Sequence, residues 1–405
     1  SFEVPVRRML YCGTESPAVL VLELLEDGSV KEQQVLQNSL NPHKQKNGSP
    51  GGVAVEWVSL HPSGRYLYAL TCFWDKAKGE AVTYKVDQDT GLLLRVGGFA
   101  STGGYQPCHA DFSIGDGGHW LAVAHYLDGV VSVLDCRQGP LCAEPSCAVE
   151  LPGVRVKMGK HSGPLAHGVR FAPGNNFLAV CDAGQSQVCV YDFDSKAGML
   201  AESPRIVRCD AVAPGQGFCQ RQILKWMGPR PRHIAFHRTL RMAYVLTECG
   251  NALSWHHFDW TRGELGPSLG SVRSISLGGT VECMAKGCCL PRANCASEVE
   301  VSADGRFLYA SNRGIGRGAE DSIVVFALDP RTGAPSRVQS AAAPGMPRHF
   351  ALAKSGSALL VGLVKAKAVA LYAVDRASGQ LVLCARTAVG HAVDCIATNE
   401  VSFED

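Results

Sequence analysis

The phrase SADGRFLYASN, residues 302–312, contains the pattern that decides the fold of this chain. It joins a short polar turn to one or two bulky residues and then to an apolar strand. Six further copies follow the same pattern, and recurrence of one phrase along a chain is the signature of a repeat architecture. The other copies are HPSGRYLYALT (61–71), IGDGGHWLAVAH (114–125), APGNNFLAVCD (172–182), HRTLRMAYVLTE (237–248), AKSGSALLVGL (353–363) and a degenerate first copy, MLYCGT (9–14).

The intervals between the copies predict the architecture of each repeat. Successive copies lie roughly 50 to 65 residues apart, which is enough chain for a four-stranded sheet. Each interval holds a second apolar strand that ends in an Asp- or Gly-rich turn, such as SIVVFALDPRTG (322–333). Such endings supply the Asx turn and the positive-φ residue that a hairpin needs. With no amphipathic helix between strands, residues 1–405 are predicted to form one all-β domain, a seven-bladed β-propeller of four-stranded antiparallel blades.

Three intervals are longer than a hairpin requires: residues 137–163, 201–227 and 277–297. We expect them to be irregular inserts. Long loops on a propeller usually lie on a face where ligands bind. They are therefore predicted to shape the mouth of a site at one end of the central channel.

Composition and charge limit the classes of partner. The chain of 405 residues is 46% hydrophobic and 19% charged, which is typical of a globular protein with a large core. Its 39 Lys and Arg residues nearly cancel its 37 Asp and Glu residues, so no nucleic-acid or membrane partner is predicted. The chain lacks a signal-peptide h-region and has an odd number of cysteines, seventeen, which favours unpaired thiols and a cytoplasmic location.

The family resemblance rests on phrases from all parts of the chain. They are YCGT (11–14), PCHADF (107–112), AHGVRFAP (166–173), GPRPRHIAFH (228–237), EVEVSADGRFLYASNRG (298–314), DSIVVFALDPRTG (321–333) and MPRHFAL (346–352). Together they resemble the lactonase propellers, which comprise bacterial 6-phosphogluconolactonases and the related fungal 3-carboxymuconate-lactonising enzymes. The resemblance implies a seven-bladed propeller that acts on a lactone at one channel mouth.

The resemblance also implies which residues act. The motifs AHGV, PRH, LTE and SNRG place four residues in the catalytic set, and four further His and Arg residues are candidates for substrate binding. The predicted catalytic residues are His167, Arg232, Glu248 and Arg313, and the predicted substrate-binding residues are His109, His233, Arg348 and His349.

The chemistry of these side chains suits a lactone. Hydrolysis needs a base for water, donors for the tetrahedral oxyanion and an acid for the departing alkoxide. We assign proton transfer to Glu248 and His167, and either of them could be the base. Arg232 and Arg313 are predicted to hold the substrate's anionic group and carbonyl oxygen, because the planar guanidinium binds oxyanions bidentately. Arg348 and His349 repeat the Arg232–His233 phrase, which also suits a structural brace of the channel.

Other clusters favour structural roles. Basic side chains in the inserts could bind a phosphate, although charges in loops are usually solvated surface; they are Arg155, Lys157, Lys160, His161, Arg221, Lys225 and Arg230. The cysteines Cys283, Cys288, Cys289 and Cys295 lack the paired spacing of zinc knuckles. His256 and His257 are predicted to lie in a surface strand and turn. The chain has no P-loop, GxGxxG or GxSxG motif, so neither a metal nor an organic cofactor is predicted.

Three functions are carried forward from the sequence. The first is hydrolysis of 6-phosphoglucono-1,5-lactone to 6-phosphogluconate, a step of the pentose phosphate route, with an anionic lactone as substrate. A related alternative is cycloisomerisation of a carboxymuconate by the same side chains. The third is a non-catalytic scaffold that binds a protein partner, which would expose apolar and aromatic patches on one face. Whether the protein is a monomer or a dimer is left open.

Overall fold

The computed structural model of the protein describes residues 8–37, 53–73, 77–113, 119–153, 163–212, 221, 224–225, 227–275, 294–315, 319–353 and 355–399. These residues form 29 β-strands, β1 to β29 in chain order, arranged in seven antiparallel sheets. The predicted seven-bladed β-propeller is confirmed. Among the described residues, no helix is both long and apolar enough to cross a membrane.

Each sheet is one blade, and its strands are given from the channel outward. Blade 1 contains β29 (Val393–Thr398), β1 (Met9–Thr14), β2 (Ala18–Leu24) and β3 (Val30–Gln37), and blade 2 contains β4 (Val53–Leu60), β5 (Tyr66–Phe73), β6 (Lys78–Val86) and β7 (Leu93–Tyr105). Blade 3 contains β8 (Pro107–Ser113), β9 (Trp120–His125), β10 (Val130–Asp135) and β11 (Cys147–Glu150). Blade 4 contains β12 (Ala166–Phe171), β13 (Phe177–Asp182), β14 (Gln187–Asp194) and β16 (Arg205–Arg208), with the short β15 (Met199–Leu200) beside β14.

The last three blades repeat this order. Blade 5 contains β17 (Pro231–Phe236), β18 (Met242–Thr247), β19 (Ala252–Asp259) and β20 (Glu264–Arg273). Blade 6 contains β21 (Asn294–Val301), β22 (Phe307–Gly314), β23 (Ser322–Leu328) and β24 (Pro335–Ala342). Blade 7 contains β25 (Pro347–Leu352), β26 (Ala358–Leu363), β27 (Ala368–Val374) and β28 (Leu381–Ala388).

The recurring phrase supplies the second strand of every blade. These strands, β1, β5, β9, β13, β18, β22 and β26, are almost wholly buried because sheets cover both of their faces. In blade 1 the innermost strand comes from the end of the chain, where β29 pairs with β1 and so closes the ring of blades. Sequence analysis missed this closure, since β29 lies outside the phrase.

A tyrosine in the phrase joins adjacent blades. In four blades the phenol donates a hydrogen bond to the carbonyl of the glycine that ends a hairpin turn in the next blade. The pairs are Tyr11 with Gly91 (3.0 Å), Tyr68 with Gly139 (2.6 Å), Tyr244 with Gly333 (2.8 Å) and Tyr309 with Gly379 (3.1 Å). All four glycines have positive φ, so the Gly of the turn serves both the hairpin and the contact between blades.

Two of the predicted irregular inserts contain regular structure. Residues 137–163 include β11, and residues 201–227 include β16, so the expectation of purely irregular inserts is wrong for both. Each strand has only four residues and is the outermost of its blade, where side chains alternate between half-buried and exposed. Such short, half-polar strands give a weak periodic signal. Most of the third insert, residues 277–297, lies outside the described residues; β21 begins at its end.

A β-bulge at the same place in every innermost strand positions the channel side chains. Each of these strands has one extra residue relative to the second strand, and in β21 Ser297 and Glu298 together stand opposite Ser311. Bulges re-aim side chains and are common beside functional sites. The bulged residues, from blade 1 to blade 7, are Asp394, Glu56, Cys108, His167, Arg232, Ser297 with Glu298, and Arg348.

Candidate active site

The predicted catalytic residues meet at the channel end where the innermost strands begin, which we call the mouth. Glu248 directly follows β18, and its Oε1 lies 2.6 Å from Nη2 of Arg313. The side chain of Glu248 is 17% exposed and that of Arg313 is 8% exposed, so the pair reaches solvent mainly through the carboxylate. Arg313 lies in β22, paired with Cys295 of β21.

A second guanidinium that sequence analysis did not place in the site also contacts Glu248. Arg230 Nε lies 3.7 Å from Glu248 Oε2, and Arg230 Nη2 donates to the hydroxyl of Tyr126. Arg230 is buried and has a φ of 59°, a conformation uncommon outside glycine. It had been grouped with charges of a solvated loop. Arg230 stands two residues before Arg232 in the motif GPRPRH, and this proximity could have indicated that it belongs to the same site.

The charge of Glu248 is fixed by its neighbours. Burial by itself would raise the pKa of this carboxyl, but the charges of Arg313, Arg230 and Arg232 outweigh it and hold the pKa well below the ordinary value. Glu248 is therefore a carboxylate throughout the neutral pH range. It suits electrostatic stabilisation of a cation better than acceptance of a proton.

His167 is the bulged residue of β12 and is buried beside Glu248. Burial and the charge of Arg232 lower its pKa well below the ordinary value, so the imidazole is neutral at pH 7. Its Nδ1 has no hydrogen-bond partner among the described residues, and its ring lies 5.4 Å from that of Tyr126 and 5.5 Å from that of His233. A neutral imidazole with an unused ring nitrogen is available for proton transfer.

Arg232 is the bulged residue of β17, and it differs from Arg348 in its ion pairing. Burial and the nearby charge of Arg313 lower the pKa of Arg232 to about 10, so it stays charged at neutral pH. No described carboxylate lies within 4.0 Å of its guanidinium nitrogens. Arg348, in the equivalent phrase, contacts Glu56 at 3.2 Å and Asp394 at 3.4 Å. The charge of Arg232, unlike that of Arg348, is therefore not paired with a described carboxylate and can bind an anionic ligand.

Three histidines and Trp57 form a layer across the channel beneath the mouth. The Trp57 ring lies 4.3 Å from His109 and 4.8 Å from His349, and His109 lies 4.4 Å from His233. The structure therefore places these three predicted substrate-binding histidines one layer below the predicted catalytic residues. Trp57 was not predicted, because nothing in its local sequence distinguishes it from a core residue.

One group in this layer has the composition of a metal site. Ligand atoms of His109, His233 and Glu298 lie within 4.8 Å of one another. However, the Val169 N–H donates to His109 Nδ1 (3.3 Å), which leaves the ring proton on Nε2, and His233 Nδ1 donates to Glu298. Free lone pairs for a cation are therefore lacking on His109, and a guanidinium faces His233. The hydrogen-bond network does not fit a bound metal ion.

The remaining clusters lie away from the mouth or outside the described residues. His256 was predicted at the surface but is buried, where it contacts Ser254 (3.0 Å) and the carbonyl of Gly266 (2.9 Å); His257 is exposed. Arg221 and Lys225 are exposed. The predicted basic residues Arg155, Lys157, Lys160 and His161, and the cysteines Cys283, Cys288 and Cys289, lie outside the described residues, and Cys295 is buried in β21.

Gly168 allows the innermost strands of blades 4 and 5 to pack closely at the mouth. Adding a methyl group there, as in Gly168→Ala, should therefore destabilise the protein. A Cβ at Gly168 would lie 2.4 Å from the carbonyl oxygen of Arg232, on the adjacent innermost strand. We expect Gly168→Ala to lower the free energy of unfolding by about 1–3 kcal/mol and to displace Arg232. Thermal denaturation measures the first effect. Gly98→Ala, where a Cβ meets nothing within 4 Å, is the control, and equal melting of both variants would contradict the prediction.

A cavity of about 320 Å³ adjoins the layer of histidines and Trp57 on its side away from the mouth, and it is lined among others by Trp57, Glu298, Arg170 and Glu300. Burial raises the pKa of Glu300 to about 7. The folded protein therefore binds this proton more tightly than the unfolded chain, and the resulting stability is present below about pH 4.5 and is lost as pH rises to about 7.

This shift predicts a pH-dependent effect of Glu300→Gln. Between about pH 4.5 and 7 the variant should gain roughly 1–3 kcal/mol of stability relative to wild type, and the difference should level off above that range. Urea unfolding at several pH values measures it. A difference that does not change with pH between 4.5 and 8 would show that Glu300 titrates normally.

Comparison with known proteins agrees with the geometry. Residues 28–398 match the sequence family described as "Lactonase, 7-bladed beta-propeller". The 6-phosphogluconolactonase of Bacillus subtilis (strain 168) is 26% identical over 334 residues, which cover 82% of this chain and 83% of that protein. The 6-phosphogluconolactonase of Formosa agariphila is 25% identical over 333 residues, covering 80% and 82%. The solved structure of the periplasmic gluconolactonase of Pseudomonas aeruginosa is 23% identical, with a TM-score of 0.75 over 97% of this chain and 99% of that one.

The match covers nearly the whole described propeller. It confirms the resemblance drawn from the motifs and the class of enzyme, a lactonase, that they implied. The chain belongs to the lactonase family of seven-bladed β-propellers.

Proposed function

We propose that this protein hydrolyses a phosphorylated sugar lactone, 6-phosphoglucono-1,5-lactone, to 6-phosphogluconate. The observation that carries the proposal is the charge of the mouth. Three guanidiniums, Arg230, Arg232 and Arg313, surround the carboxylate of Glu248, while the nearby carboxylates of Glu56 and Asp394 are paired with a fourth guanidinium, that of Arg348. The excess positive charge favours an anionic substrate. Relatives named 6-phosphogluconolactonase and gluconolactonase support a sugar lactone.

The proposed mechanism assigns each side chain one role. Arg232 and Arg313 hold the phosphate and the lactone carbonyl oxygen, and a guanidinium stabilises the oxyanion that forms when water adds to the carbonyl carbon. His167 accepts the proton that the water loses. The bond between the carbonyl carbon and the ring oxygen then breaks, and His167 returns the proton to that oxygen. The product is a carboxylic acid with a free hydroxyl, and it releases its acid proton to solvent to become the carboxylate.

His167 is a better base than Glu248 in this scheme. The guanidiniums hold the pKa of Glu248 far below neutral, which makes its carboxylate a poor proton acceptor. The charge of Arg232 contributes to the low pKa of His167, so an anionic substrate on Arg232 raises that pKa towards the working pH. The carboxylate of Glu248 then stabilises the imidazolium, as a buried carboxylate does in a Ser-His-Asp triad.

A panel of three substrates tests the proposal. Initial rates of proton release are measured with 6-phosphogluconolactone and unphosphorylated gluconolactone, and cycloisomerisation of a carboxymuconate is followed by its ultraviolet absorbance. We expect kcat/KM to be about 10- to 100-fold higher for the phosphorylated lactone, since charge-assisted hydrogen bonds contribute about 1.5–3 kcal/mol. Equal kcat/KM values for the two lactones would show that the site does not recognise the phosphate group. Turnover of the carboxymuconate alone would replace hydrolysis by cycloisomerisation.

The scaffold alternative receives less support. Large exposed apolar side chains among the described residues lie on the outer strands of several blades, such as Leu94 on β7, Leu269 on β20 and Val382 on β28. Side chains so distributed do not build one apolar face for a protein partner. The cytoplasm is the proposed location, since none of the thirteen described cysteines is in a disulfide.

A further inference from the structure

The geometry points to Glu298 as a positioning residue that orients Arg232 through His233. This inference rests on the proposed function in one respect, namely that Arg232 binds an anionic group of the substrate. It assigns a role in the site to a carboxylate that the proposed mechanism does not use. Each link in the chain from Glu298 to Arg232 is a contact between side chains in the structure.

The first link fixes Glu298. Its side chain is 4% exposed and lies in the two-residue bulge of β21. The Val299 N–H donates to its Oε1 at 3.0 Å, and its own N–H donates to the hydroxyl of Ser311 at 2.9 Å. The carboxylate is therefore held on the strand before it meets any histidine.

The second link sets the tautomer of His233. Glu298 Oε1 lies 2.9 Å from His233 Nδ1, and a carboxylate can only accept, so Nδ1 carries the proton. Burial and the charge of Arg232 lower the pKa of His233 well below the ordinary value, so the ring is neutral. A neutral imidazole with its proton on Nδ1 has a lone pair on Nε2. Arg232 Nη1 lies 3.2 Å from Nε2 and 3.5 Å from Nδ1, so the guanidinium packs against the ring that Glu298 holds in place.

The third link selects the edge of the guanidinium that remains for a ligand. Arg232 Nη1 donates to the carbonyl oxygen of Ser297 at 2.7 Å and lies against the imidazole of His233, so both neighbours hold this end of the guanidinium. Arg232 Nε has no hydrogen-bond partner among the described residues. The edge formed by Nε and Nη2 therefore stays available, and two parallel N–H groups of this kind bind a carboxylate or phosphate bidentately. Glu298 thus determines which edge Arg232 presents to the substrate.

The second PRH phrase shows the opposite arrangement. The Ile396 N–H donates to His349 Nδ1 at 3.2 Å, so the ring proton lies on Nε2, which faces Glu298 Oε2 at 3.5 Å. His349 therefore offers no lone pair on Nε2, and Arg348 is held by Glu56 and Asp394 instead. The sequence Pro-Arg-His therefore has two roles: in blade 5 it connects Glu298 to Arg232 through His233, an arrangement we call the relay, and in blade 7 its arginine is held in ion pairs with Glu56 and Asp394.

Two substitutions at one position separate the relay from a merely structural role. Glu298→Leu removes the acceptor, whereas Glu298→Gln keeps an amide oxygen that can still accept from Nδ1. We expect kcat/KM for 6-phosphogluconolactone to fall about 10- to 100-fold in Glu298→Leu and to stay within about threefold of wild type in Glu298→Gln. Glu300→Gln, two residues along the same strand, is the control and should keep the wild-type value. An equal loss in Glu298→Gln and Glu298→Leu at matched melting temperatures would overturn the inference.

Histidine nitrogen NMR tests the relay independently of activity. With ¹⁵N-labelled histidine, His233 should show a protonated Nδ1 in wild type and in Glu298→Gln, and should lose this tautomer in Glu298→Leu. A protonated Nδ1 that persists in Glu298→Leu would refute the second link. Absence of lactone hydrolysis in wild type would refute the proposed function instead, and the NMR result would still decide whether Glu298 sets the tautomer.

A double-mutant cycle tests the last link. If Glu298 acts through Arg232, the substitution Glu298→Leu should change kcat/KM by less than about twofold when Arg232 is already Lys. Lysine keeps the charge but has neither the planar fork nor an Nη1 for His233 to hold. A full 10- to 100-fold loss in the Arg232→Lys background would show that Glu298 acts by another route.

Discussion

Replacing His167 by Gln is expected to lower kcat for lactone hydrolysis by about 1,000-fold, within the range that general acid–base groups contribute. Gln occupies a similar volume but cannot accept a proton from water. Because the guanidiniums that bind the substrate are untouched, KM should change by less than about threefold, and the loss should appear in kcat. Steady-state kinetics measured by proton release give both constants.

The control for this variant is His257→Gln, the same replacement on the exposed side of β19 in blade 5. It should keep the kcat of wild type. A His167→Gln enzyme with more than a tenth of the wild-type kcat would contradict the assignment of His167 as the base, and the carboxylate of Glu248 would then be the remaining candidate.

Replacing Glu248 by Gln is expected to lower kcat/KM by about 100- to 1,000-fold. The charge between Arg230 and Arg313 is lost, so the two guanidiniums repel each other and the ion pair of Arg313 becomes at most a neutral hydrogen bond to the amide oxygen. The pKa of His167 should also fall further, since Glu248 is the neighbour that raises it. Both changes make the imidazolium that forms when His167 accepts a proton less stable, and this slows the reaction.

The same substitution has a pH signature in stability. Since the folded-state pKa of Glu248 lies below the ordinary 4.5, the carboxylate stabilises wild type above that pH, and this stability is lost as pH falls. The difference in melting temperature between wild type and Glu248→Gln should therefore shrink below about pH 4.5. Glu264→Gln, an exposed replacement on β20, is the control. An unchanged difference down to pH 3 would show that the arginines do not hold the charge of Glu248.

The fold was predictable from sequence because its signals are local. A single phrase marks the second strand of each blade, and the turn glycines mark the hairpins. The tyrosine of the phrase and the glycine of the next turn even form the contact between blades, as Tyr309 and Gly379 do. The outer strand β11 and the closing strand β29 were missed, because one is short and half-polar and the other lies outside the phrase.

The site was only partly predictable, because its contacts join blades that are distant in sequence. The motifs identified Glu248 and Arg313, which lie 65 residues apart and meet in the structure. They offered Arg230 only among loop charges that could bind a phosphate, and they did not single out Glu298, which contacts His233 only because β17 and β21 lie side by side.

The difference between the two PRH phrases illustrates the same limit. Arg232 and Arg348 have identical neighbours in sequence, yet Arg348 is paired with Glu56 from blade 2 and Asp394 from the last strand. Those partners reach Arg348 only because the ring of blades closes. No pattern local to either phrase distinguishes the unpaired arginine from the paired one.

The most direct test of the central claim is the initial rate of 6-phosphogluconolactone ring opening, measured with wild type and with Glu248→Gln against the spontaneous reaction. If the mouth of the channel is a lactonase site, wild type will exceed the spontaneous rate by several orders of magnitude, and the variant will retain about 1% of that activity or less. Equal rates for both proteins at equal melting temperatures, or a wild-type rate no faster than the spontaneous one, would contradict it.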